Sequence, residues 1–259
     1  MARENAFVLG GLGVVGRATR KALDIPYYFD LKEANISLEE GATKQWCFIC
    51  LPTPTDEQGQ QGKAIEVIRD YIKQIHSYGG STVFVVRSTV LPGTCRGLSE
   101  TTGAMVVSNP EFLSDATWEY DCMNPRMKVI GSDFPQVTRA LEEYWKHIPA
   151  KINISTNSQT AEMIKYVFNT FAVTKIVFAN QIFDICGRVG ADYEAIHKAL
   201  HLHPWGSKEH FKVVDKGGRG GGGKCLPKDI KAFAQWSNMP LFHKVEEINT
   251  NYLHTSHKT

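Results

Sequence analysis

The sequence predicts an α/β fold in which a doubly wound parallel sheet is followed by a helical domain built on one long central helix. Three observations predict it. Through the first 155 residues, short continuous apolar runs alternate with longer stretches of helical period, the pattern of parallel strands covered by helices on both faces. A glycine-rich turn joins the first such run to the first helical stretch. Beyond that point the strand-like runs stop, and Gln159 to Arg188 runs without a proline.

The strands are read from AFVLG, YYFD, WCFICLP, TVFVVRS, AMVVS and MKVIG, with helices from about Val14 and from Ala64 to His76. Together they predict a domain over residues 1–155. In the long helix Ile164, Val167, Phe168 and Phe171 recur at three and four, and the apolar residues occupy more than one stripe. Such a helix needs partners on two sides, which predicts the core of a second domain over 156–259 and a homodimer seam. Helices over Tyr193–Leu200, Pro227–Gln235 and Leu241–Leu253 complete that domain.

At 259 residues, 42% hydrophobic and 22% charged, the chain is long enough for one large or two modest cores. A net charge of +2 with dispersed lysines and arginines gives no basis for a nucleic-acid partner. No apolar run reaches membrane-spanning length, so no membrane partner is expected. The opening MARENAFVLGGLGVVG is broken by four glycines and lacks a small-x-small cleavage site, which favours a structural role over a signal peptide. Six scattered cysteines suggest reduced thiols and a cytoplasmic protein. Cys47 and Cys50 form a C-x-x-C inside what reads as a buried strand, so neither a redox nor a metal role is expected, and no metal is expected elsewhere.

Gly11-x-Gly13-x-x-Gly16 directly follows the first strand and opens a helix, and Asp30 closes the next strand. This is the context of a Rossmann-type dinucleotide fingerprint, in which glycines let backbone N–H groups approach a pyrophosphate. Asp30 accepts from the adenosine ribose hydroxyls in that reading and repels a 2′-phosphate, which favours NAD over NADP. Lys32 speaks for the other cofactor.

A second glycine-rich stretch, GGRGGGGKCLPKDIK, starts at Gly217. Gly218 to Lys224 fit a P-loop, but Cys225 stands where that motif needs a hydroxyl, and no strand ending in an acid follows. Cys225 lies between Lys224 and Lys228, just ahead of a helix with Pro227 in its first turn. Helix dipole and lysines favour a thiolate there, so Cys225 reads as a nucleophile. Lys165 and Asn169, one turn apart on the long helix, suit an oxyanion held between an ammonium and an amide. Glu162 offers Lys165 an alternative, a solvated ion pair.

Seven stretches in chain order resemble the NAD-dependent nucleotide-sugar 6-dehydrogenases, the UDP-glucose/GDP-mannose dehydrogenase family: GLGVVG, CLPTPTD, RSTVLPGT, SNPEFLSDAT, NPRMKVIGS, AEMIKYVFNTFAVTKIVFANQI and GGKCLPKDIK. The resemblance implies oxidation of a sugar primary alcohol to a carboxylate in two NAD-dependent steps, through a thiohemiacetal and a thioester on Cys225. It implies Asp229 as the aspartate of the cysteine motif, Glu111 as the carboxylate supporting thioester hydrolysis, and Thr89 holding a water with Asp229. Phe112, Leu113 and Gly222 are implied to meet the substrate together with Glu111, Lys165, Asn169 and Cys225. Val14, Val15, Lys32, Pro52, Thr53, Ser88, Thr89 and Lys228 are implied around the cofactor.

The chain departs from the family in four ways. A third, nucleotide-binding domain is absent from the sequence, and only fifteen residues separate Asp30 from WCFIC. The stretch before Cys225 is longer and leaves Lys208, His210 and Arg219 unmatched. Asp115 stands where a second glutamate is usual. Three readings therefore stay open: a four-electron sugar or nucleotide-sugar dehydrogenase, a one-step hydroxyacid-type dehydrogenase, and a non-catalytic NAD-binding remnant.

Overall fold

A computed structural model of the chain describes residues 4–206, 209–215 and 218–255; Lys208 and Gly217 lie outside them. In chain order the first elements are β1 (Ala6–Leu9), α1 (Val14–Leu23), β2 (Tyr27–Phe29), α2 (Leu38–Ala42), β3 (Trp46–Ile49), α3 (Gly62–Ser77) and β4 (Val83–Val86). They are followed by α4 (Thr94–Thr102), β5 (Val106–Ser108), α5 (Trp118–Met123), β6 (Met127–Gly131), α6 (Pro135–Tyr144) and β7 (Ile152–Thr156). The helical part comprises α7 (Ser158–Val189), α8 (Tyr193–Leu202), α9 (Leu226–Ser237) and α10 (Pro240–Thr255).

The chain divides into two compact units, one of Met1–Pro54 with Gln61–Lys165, the other of Thr55–Gln60 with Tyr166–Thr259. In the first, one sheet runs in the order β2-β1-β3-β4-β5-β6-β7. Strands β1 to β5 are parallel to one another. Every residue of β1, β3, β4 and β5 is buried, which is why these strands read as unbroken apolar runs. Their side chains alternate between two cores. Val8, Phe48, Val85 and Val107 pack on one face with Leu23 and Leu141. Phe7, Ile49, Phe84 and Val106 pack on the other with Ile68, Ile72 and Ile75 of α3.

Two features differ from the expected all-parallel sheet. β6 joins β5 antiparallel, through Ser108 and Gly131, and β7 then pairs parallel to β6. An apolar run reports burial, not direction, and an antiparallel neighbour needs no crossover helix, so MKVIG looked like another parallel strand. β7 has no apolar run to betray it, because Ile152, Asn153 and Ser155 are exposed on this edge strand.

Cys47 and Cys50 lie in opposite cores. Burial pushes both thiols up, Cys50 to about 11. No cysteine forms a disulfide. Among the described residues, no helix is long and apolar enough to cross a membrane.

In the second unit Val173 and Val177 of α7 pack against Ile230 of α9 and Val245 of α10. Tyr166 stacks on Phe233 at 5.5 Å, and α8 closes on the far end of α7 through Cys186 and Tyr193. One face of α7 is thus committed to the core of its own chain.

Candidate active site

Between β1 and the first turn of α1, three glycines are required, one for its backbone angle and two for lack of space. Gly10 has φ +83°, which favours glycine. A Cβ on Gly11 would stand 2.4 Å from Tyr28 Cβ, and one on Gly16 would stand 2.1 Å from the carbonyl oxygen of Gly10. Gly13, by contrast, is exposed and is the N-cap of α1. Its nearest obstacle would be the Gly10 carbonyl at 3.7 Å, so the fold itself does not demand a glycine there.

Val14 and Val15 form the first turn of α1, which contains no acidic residue. Its N–H groups and dipole offer an anion site. Asp30 follows β2 directly, and its Oδ2 accepts from the Leu12 N–H at 3.2 Å. The carboxylate is thereby held against the glycine turn while its other oxygen stays near Lys32, whose N–H lies at 3.4 Å. This combination fits a dinucleotide: an exposed glycine, a helix N-terminus free of acidic residues and an acid fixed against the glycine turn.

The loops after β3 and β4 are tied to each other. The Thr53 hydroxyl donates to the Thr89 carbonyl at 2.7 Å, and the Ser88 hydroxyl donates to the Leu51 carbonyl at 2.6 Å. Gln61, which is buried, donates to the carbonyls of Thr53 and Thr89 and accepts from the Leu91 N–H. Pro52 stays exposed beside this knot. Gln61 was missed by the sequence reading, since it looks like an ordinary residue at the start of a helix.

After β5, Asn109 accepts from Arg87 Nη1 at 2.6 Å and donates to the Val129 carbonyl at 2.7 Å. This buried clamp fixes the origin of the segment that carries Glu111, Phe112 and Leu113. Glu111 accepts from the Leu113 N–H at 2.6 Å and pairs with Lys165 Nζ at 3.2 Å. The two side chains are only 10% and 7% exposed, and the ammonium lies 5.2 Å from the Phe112 ring centre. Asp115 is exposed.

Glu162 does not form the solvated pair with Lys165 that spacing allowed. It is buried and accepts from the N–H groups of Gly93 and Cys95 at 2.6 and 2.8 Å, completing the open N-terminus of α4. Burial pushes its carboxyl up, while these N–H groups pull it down.

In the second unit, Asn169 donates to Asp229 Oδ2 at 2.6 Å, and Lys228 pairs with the other oxygen of the fully buried Asp229. The sequence reading set Lys228 beside Cys225; its ion-pair partner in the structure is Asp229. Cys225 is the N-cap of α9, and Pro227 stands in the first turn. It is exposed, whereas the other five cysteines are buried. Gly222, Gly223 and Lys224 are exposed beside it. A Cβ on Gly222 would find only Leu253 Cδ2, at 3.6 Å. The structure thus joins Glu111 with Lys165 in one unit, and Asn169, Lys228 and Asp229 in the other, near the exposed thiol of Cys225.

Residues 31–149 match the NAD binding domain of the UDP-glucose/GDP-mannose dehydrogenase family, and residues 159–251 match the central domain of the same family. The glycine turn precedes the first matched stretch. Over 231 residues the chain is 35% identical to UDP-glucose 6-dehydrogenase YwqF of Bacillus subtilis, covering 83% of this chain and 51% of that protein. It is 32% identical to GDP-mannose 6-dehydrogenase of Pseudomonas aeruginosa over 237 residues, covering 82% of this chain and 53% of that one. Its fold superimposes on a UDP-glucose dehydrogenase of Pyrobaculum islandicum with a TM-score of 0.78 at 25% identity, over 96% of this chain and 69% of the other. The chain spans about half the length of the curated relatives it matches. NAD is the cofactor of the matched first domain, and with a glycine turn that fits it and both domains in order, the chain belongs to the UDP-glucose/GDP-mannose dehydrogenase family.

Proposed function

We propose that the chain oxidises the primary alcohol of a nucleotide sugar to the carboxylate, with Cys225 as covalent nucleophile. The observation that carries this reading is the setting of Cys225: an exposed thiol at a helix N-terminus, one turn from a buried Asp229 bonded to Asn169. A one-step dehydrogenation has no use for such a thiol.

When bound, NAD accepts a hydride in each of the two oxidations. The protein supplies the rest. The Cys225 thiolate attacks the carbon of the intermediate aldehyde; a C–S bond forms, and the carbonyl oxygen gains charge. Lys165 and Asn169, four residues apart on α7, are suited to hold that oxygen. In the last step water attacks the thioester carbon, the C–S bond breaks, and Cys225 leaves as thiolate. The family resemblance gives Glu111 the part of supporting this hydrolysis as a carboxylate that takes the water's proton. Alcohol, two NAD⁺ and one water give carboxylate, two NADH and three protons.

The test is to incubate the chain with NAD and a panel of UDP-, GDP- and free sugars, counting NADH per product. Two per turnover is expected; one would select a one-step dehydrogenase, and none a binding protein.

We propose that the chain assembles as a homodimer through α7. Phe168, Phe171, Phe178, Ile185 and Val189 are each half or more exposed or close to it, and their spacings of three, seven, seven and four keep them on one stripe. A second copy of the same helix is the occupant this reading assigns. Sedimentation equilibrium at micromolar concentration should give a dimer, and Phe171→Asp a monomer; a monomeric wild type would sink it.

A further inference from the structure

Four consecutive glycines, Gly220 to Gly223, precede Lys224 and Cys225. Free glycines sample a wide range of backbone conformations, so a nucleophile carried on such a segment needs an anchor close by. The structure contains one. Arg219, which the family pattern leaves unmatched, donates from Nε to Asn180 Oδ1 at 2.8 Å and from Nη2 to the Asn180 carbonyl at 3.0 Å. Its Nη2 also lies 2.7 Å from Asp184 Oδ1. The guanidinium stands between two rings, 4.6 Å from that of Tyr252 and 5.4 Å from that of Phe183. Tyr252 in turn donates to the second Asp184 oxygen at 2.7 Å.

Two residues later the anchoring is repeated on the backbone. Gly221 donates to Asn249 Oδ1 at 2.6 Å and accepts from Asn249 Nδ2 at 3.1 Å, and Asn249 is buried. Gly220 packs against Asn249 and Tyr252 with φ +81°. The segment thus has a foot fixed to α7 and α10 at residues 219–221 and an exposed tip at 222–225.

We propose that Arg219 is a positioning residue for Cys225, fixing the foot of the glycine segment so that the thiol is kept at the N-terminus of α9. It acts through the backbone, without touching the reacting atoms. This role rests on the reading of Cys225 as an activated nucleophile, and one measurement separates the two. Because Cys225 is the exposed cysteine and the other five are buried, alkylation of the folded 259-residue chain by iodoacetamide reports on it, with Cys225→Ser as the blank.

The pH midpoint of alkylation is expected below the ordinary thiol range of about 8.5 in the wild type, since thiolate at a helix N-terminus is favoured. Arg219→Ala should raise it by about one unit and slow alkylation at neutral pH about tenfold. Arg219→Lys, which keeps the charge but not the fork, should fall between them. A purely structural role would lower the melting temperature without moving the midpoint. If Arg219→Ala does not fold by circular dichroism, Arg219→Lys decides. A lowered wild-type midpoint that both folded variants retain overturns the positioning role alone. A wild-type midpoint in the ordinary range overturns it together with the nucleophile reading.

Discussion

Cys225→Ala is expected to reduce carboxylate formation by about four orders of magnitude or more, the scale on which loss of a covalent nucleophile is felt. NAD affinity should be unchanged, because the glycine turn, α1 and Asp30 belong to the other unit. Stability should also hold within about 0.5 kcal/mol, as the thiol is exposed and the substitution removes no buried group. The three measurements are product acid per enzyme, quenching of protein fluorescence by NADH, and the urea midpoint. Their combination matters, because a misfolded variant would lose all three together. Acid formation at the wild-type rate would remove the covalent step from the mechanism. The alcohol-to-aldehyde half of the reaction does not require the thiol, so a residual NADH signal without acid agrees with the proposed order of steps.

How far the sequence could be read depended on whether a residue's role is local. Gly11 and Gly16 were legible because a Cβ there would strike Tyr28 or Gly10, and this demand recurs wherever a strand turns tightly into a helix over a pyrophosphate. The long helix was legible because its period extends over many turns. β7 was not, because an exposed edge strand lacks the pattern. Lys165 and Glu162 show the same limit in side chains. Their spacing on one helix suggested each other, yet Lys165 found Glu111, 54 residues away, and Glu162 found the amide of Gly93, 69 residues away. Arg219 and Asn249 were invisible as anchors for a similar reason: their partners lie 39 and 28 residues off, and no period in the sequence connects them.

Lys165→Met should cost about 3–5 kcal/mol of folding stability, because it leaves the Glu111 carboxylate buried without its ammonium. The Leu113 N–H remains as a donor to Glu111, which offsets only part of the loss. Lys165→Met combined with Glu111→Gln should regain most of it, since a neutral amide carries no uncompensated charge and two neutral groups replace the pair. Acid formation should remain low in both, because the double variant restores packing and not the ammonium that the oxyanion needs. Urea unfolding and product analysis on the wild type and these two variants therefore separate the two roles of Lys165. A single variant within about 0.5 kcal/mol of the wild type would show that the pair adds no net stability. Recovery of acid formation in the double variant would remove Lys165 from the chemistry and leave it as the partner that makes a buried Glu111 tolerable.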